Sequence, residues 1–83
     1  MKKIAVISAI LEEPSLCQQQ FNDVVADFKG IVRGRMGIPF DDVGISSVCI
    51  VVVGDMDVIN SLTGKLGNIP HVSVKTSISK KEL

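Results

Sequence analysis

Val48-Cys49-Ile50-Val51-Val52-Val53 is an unbroken run of six apolar residues, all but Cys49 β-branched. A strand with one wet face alternates polar and apolar residues along its length. This run does not alternate, so both of its faces should be covered. It is too short for a buried helix, and Gly54-Asp55 stops it. It reads as an interior strand of a sheet. Helices should lie over one face. Over the other should lie something the chain borrows from a partner.

Outward from this run, the pattern repeats once. In Lys3–Leu11, Ile4, Val6, Ser8 and Ile10 point one way, and Ala5, Ile7, Ala9 and Leu11 the other. Both sets are mostly apolar, so this is a second interior strand. Between the two, Glu12-Glu13-Pro14-Ser15 opens a helix, with Pro in the first turn and carboxylates at the positive end of the dipole. Its apolar stripe is Cys17, Phe21, Val24, Val25 and Phe28, and Lys29-Gly30 ends it. Ile31–Met36 is a poorer strand that puts Ile31, Arg33 and Arg35 on one face and Val32, Gly34 and Met36 on the other. Two arginines and a glycine suit a sheet edge. Gly37–Gly44 has the composition of a loop.

Beyond the central run, Asp55 is a good N-cap. Val58, Ile59, Leu62 and Leu66 form the stripe of a second helix, which Gly67 closes. His71–Ile78 alternates, with Val72, Val74, Thr76 and Ile78 inward and His71, Ser73, Lys75 and Ser77 outward. The order is βαββαβ. This is an α+β, ferredoxin-like plan: an antiparallel four-stranded sheet with two helices on one face. In that plan the first and third strands are the middle pair, and these are the two strands with apolar residues on both sides. Residues 1–83 make one domain.

Composition narrows the function classes. Nine basic and nine acidic residues give a net charge of zero, which argues against direct nucleic-acid binding by this chain alone. No apolar run approaches the roughly 20 residues of a membrane span, and no signal peptide is evident. Cys17 and Cys49 lie in no CxxC pair and read as reduced thiols in the cytoplasm.

Gly64-Lys65 resembles a phosphate loop only superficially. It falls at the end of a helix, the wrong pole for an anion, and Lys65 there complements the dipole. His71 is the single histidine, too few for an intrachain metal site with two unplaced cysteines. No acid/base or nucleophile constellation is visible, so no enzyme activity and no cofactor are expected. Candidate ligand-binding residues are Arg33 and Arg35, which could take a carboxylate or phosphate, and Phe40 in the neighbouring loop.

Arg33-Gly34-Arg35-Met36-Gly37-Ile38-Pro39, set beside Leu62-Thr63-Gly64-Lys65-Leu66-Gly67-Asn68-Ile69-Pro70-His71-Val72-Ser73-Val74-Lys75-Thr76, resembles the small single-domain regulators of iron-only hydrogenase systems. The second stretch is the more specific. These proteins are similar in fold to ACT domains and to the C-terminal domain of the nickel-responsive repressor. The resemblance implies an ACT-like sheet, self-association, and a role in transcriptional regulation tied to hydrogenase genes. The repressor's ribbon-helix-helix segment has no counterpart ahead of Lys3, and its histidine cluster is not matched. The turn Glu12-Glu13-Pro14 lacks the glycine common in amino-acid-binding ACT domains.

The expectation is a non-enzymatic regulatory domain acting as a homo-oligomer, a dimer or tetramer. The alternative is a sensor that binds a small effector, amino-acid-like or metal, at the subunit interface. Two helices on one face leave the other face of the middle strands open. About five exposed aliphatic side chains there come to about 500 Å², near the limit for a monomer.

Overall fold

The structure is a computed structural model describing residues 1–83. Strand β1 (Lys2–Leu11) is followed by helix α1 (Pro14–Asp27), a short 3-10 turn (Lys29–Ile31), β2 (Val32–Phe40), β3 (Ile45–Asp55), α2 (Met56–Gly67) and β4 (Val72–Ile78). The sheet is antiparallel, in the order β2-β3-β1-β4. The two strands with apolar residues on both sides are therefore the middle pair, and the ferredoxin-like plan is the observed one.

Residues directly opposite each other in an antiparallel pair share a face. Ala5 pairs with Val52, Ile7 with Ile50 and Ala9 with Val48. These six are buried in one core with Cys17, Phe21 and Val25 of α1 and Ile59, Leu62 and Leu66 of α2. Both helices thus cover the same face. Ile69, in the connection after α2, is buried with them. No helix is long and apolar enough to cross a membrane.

Several local features depart from the sequence expectation. Helix α1 stops at Asp27, and Phe28 caps it by donating its N–H to Val25 O at 3.0 Å. Gly30 has no positive φ and does not terminate the helix; the only positive-φ residues are His71 and Gly44. Glu13 occupies the N-cap position without a side-chain cap bond. Asp55 also caps without its side chain, which instead holds the N-terminal ammonium at 3.2 Å. Val58 is exposed, because it lies to the side of the Ile59, Leu62, Leu66 stripe.

The larger correction is β2. Gly37–Phe40 is not loop but strand, paired with Ile45–Val48, and only residues 41–44 turn. Pairing with β3 satisfies one side of this backbone. Pro39 is tolerated because an edge strand leaves its other side without a partner. Ile31 belongs to the 3-10 turn, not the strand. Arg33 is the extra residue of a bulge: Val32 pairs with Val52 and Gly34 with Val51. The bulge breaks the expected alternation. Val32 falls on the helix-covered face, while Gly34 and Met36 fall on the open one.

Candidate functional site

The face that the helices do not cover can be read row by row from the strand register. Ile38, Ser47, Ile10 and Ser73 form one row across the four strands. Met36, Cys49, Ser8 and Lys75 form the next, and Gly34, Val51, Val6 and Ser77 the third. Phe40 beside Ile45 and Val53 beside Ile4 extend the face at its two ends. Ile4, Val6, Ile10, Met36, Ile38 and Phe40 are all exposed, Met36 at 60%. Val51, Val53 and Cys49 are half-buried by their neighbours alone.

The open apolar strip is therefore three strands wide, not two. Reading Gly37–Gly44 as a loop removed Ile38 and Phe40 from the face. The signal that could have kept them is the alternation of Met36, Ile38 and Phe40 with Gly37 and Pro39. The only charged side chain in the three central rows is Lys75, on the β4 edge.

A second feature lies at the end of the sheet, where the N-terminus of α1 faces the β2–β3 turn. A groove of about 490 Å³ is lined there by Ser15 and Gln18 of α1, Arg35 and Phe40 of β2, and Ser46 of β3, among others. Arg35 pairs with Ile50 and so lies on the helix-covered face. Its guanidinium sits 5.7 Å from the Phe21 ring centroid, and its Nη2 donates to Asn22 Oδ1 at 2.5 Å. These contacts anchor the cation at the groove wall, where it can meet a carboxylate or phosphate. Glu13 and Asp41 also line the groove and oppose an anion there.

Of the three expected site residues, Arg35 and Phe40 both line this groove, Arg35 from the helix-covered side of the sheet and Phe40 from the open side at the strand end. Arg33, at the bulge, is exposed and does not line it. The bulge at Arg33 breaks the strict alternation that would set Arg33 and Arg35 on one face.

The two cysteines are free and lie on opposite sides of the sheet. Cys17 is in the core, and its thiol donates to Glu13 O at 3.3 Å. Burial pushes the Cys17 thiol above its ordinary value. Cys49 lies in the middle of the open face. His71 is exposed, just ahead of β4.

Compared with known proteins, residues 3–76 match the family model TM1266-like, described as "Iron-only hydrogenase system regulator, putative". Among solved structures, the uncharacterized protein TM1266 from Thermotoga maritima is similar with a TM-score of 0.92 and 29% sequence identity. The match covers 96% of this chain and 100% of that one. No curated protein matches.

Proposed function

The chain belongs to the TM1266-like family of iron-only hydrogenase system regulators, and on that premise we propose that it is a non-enzymatic regulatory domain acting as a homo-oligomer in the cytoplasm. The observation that carries self-association is the open sheet face. Six exposed apolar side chains, three on β1 and three on β2, flank the half-buried Cys49, Val51 and Val53 of β3 and form a contiguous apolar face at the upper end of what a small monomer leaves in water. A face that meets its own copy removes that surface without help from another chain. Two free cysteines fit a reducing compartment.

The test is genetic. In cells with an iron-only hydrogenase, hydrogenase transcript levels are compared with and without this chain. The expected result is a change on deletion that is reversed by the wild-type chain and not by Met36→Glu, which puts a charge on the open face. Unchanged transcripts on deletion would remove the regulatory reading.

A second reading rests on the groove that gathers Arg35 and Phe40. It makes the domain a sensor for a small effector, amino-acid-like or metal, at the subunit interface. A thermal-shift screen of amino acids, nucleotides and metal complexes separates the two readings. A ligand that binds only the native state raises its melting temperature. A shift of several degrees by one compound, lost in Arg35→Ala, would favour the sensor. A flat screen would favour assembly alone.

A further inference from the structure

We propose that a second copy of this chain docks on the open sheet face about a two-fold axis running along β3, so that Cys49 faces Cys49 of the partner subunit. The inference rests on the self-association proposed above and adds the axis and the residues that it brings face to face. The occupant follows first from area. Six exposed apolar side chains and their half-buried neighbours offer about 600 Å² per copy, which paired with itself gives about 1,200 Å², the lower bound of a standard interface. An isologous contact pairs a patch with itself, so the axis lies over the patch centre. Cys49 is that centre: Met36 and Ser8 flank it across the strands, and Ser47 and Val51 flank it along β3.

The direction of the axis follows from side-chain size and charge. Stacked sheets keep their strands roughly aligned, so the axis runs either along β3 or across it. An axis across the strands, along the Met36-Cys49-Ser8-Lys75 row, would set Lys75 against its own copy. An axis along β3 lays β2 of one copy over β1 of the other. Met36 then stands over the small Ser8, Val6 stands over Gly34, and Ile38 meets Ile10. In the first two pairs a large side chain meets a small one, as interdigitated packing needs, and the third is an apolar contact between two isoleucines. With strands about 4.8 Å apart, the two Lys75 residues are then about 19 Å apart laterally, beyond the screening length.

Bismaleimidoethane cross-linking of the full chain, followed by a denaturing gel and sedimentation, decides it. Stacked sheets lie about 10 Å apart, a gap this short reagent bridges between two cysteines that face each other. Wild type and Cys17→Ala should give covalent dimers, and Cys49→Ser should give none. In the Cys49→Ser background, a mixture of Met36→Cys and Ser8→Cys chains should cross-link, whereas Ser8→Cys alone should not. A chain that sediments as a dimer but does not link through Cys49 would overturn this interface and leave self-association standing. Efficient linking of Ser8→Cys to itself would overturn the axis along β3. A monomer at every concentration would overturn both this inference and the homo-oligomer.

Discussion

His71 carries a backbone conformation that a β-branched residue rarely adopts, with φ at 71°. It lets the chain leave Ile69 buried and enter β4. The His71 carbonyl accepts the Glu12 N–H at 2.9 Å, which ties the start of β4 to the end of β1. The sequence alternation makes it the first residue of the strand, because a histidine tolerates positive φ better than most residues but does not by itself signal it. His71→Val is expected to cost about 1–2 kcal/mol, while His71→Asn is nearly neutral. Urea denaturation checks both, and a His71→Val protein of wild-type stability would contradict the strained turn.

The two thiols give a second test at this scale. Cys17 is 1% exposed and Cys49 is half-buried on the open face. In the chain diluted to monomer, where no partner covers the open face, iodoacetamide should modify Cys49 first and Cys17 only after unfolding, because the thiolate reacts and burial disfavours it at Cys17. Mass spectrometry of the partly labelled protein shows the order. Early labelling of Cys17 would mean that α1 opens readily. Ile50, with no exposure, is a plain core residue. Ile50→Ala should cost about 2–5 kcal/mol through lost burial and the cavity left behind.

Elements were legible where one physical signal dominated. The alternating neighbours in β1 and β3 fixed which residues point each way, and the register bears this out for Val48, Ile50 and Val52. In β2 two signals conflicted. Met36, Ile38 and Phe40 alternate like a strand, while Gly37 and Pro39 read as breakers. Tertiary pairing with β3 decided the conflict. The bulge at Arg33 had no local signal, since a bulge answers to the partner strand. For the same reason the groove was only half legible: Arg35 and Phe40 could be named by type, but not the wall that α1 supplies.

Gly54 records another element contact. A Cβ built there would lie 3.2 Å from Ile31 Cγ2, so the 3-10 turn packs on the glycine at the end of β3. Gly54→Ala should cost about 1 kcal/mol by overpacking. The companion Gly30→Ala, with no atom within 4 Å of its Cβ, should be neutral or slightly stabilising. Equal effects of the two, measured by thermal melts, would argue against this packing.

At the scale of the whole molecule, charge and shape act together. Net charge is zero, and the apolar face of the sheet carries no row of cations. The expected result of an anisotropy titration against hydrogenase-gene upstream DNA, at physiological salt, is no sequence-selective binding below micromolar concentration. Such binding would mean that assembly gathers Arg33 and the lysines into a basic surface.

The homo-oligomer reading depends on the open face being buried against another copy. Sedimentation equilibrium of the purified chain at low micromolar concentration measures this directly. The expected mass is twice that of the 8.9 kDa chain, returning to 8.9 kDa in Met36→Glu with the circular dichroism spectrum unchanged. A wild-type chain that sediments at 8.9 kDa and binds no hydrophobic dye would contradict it.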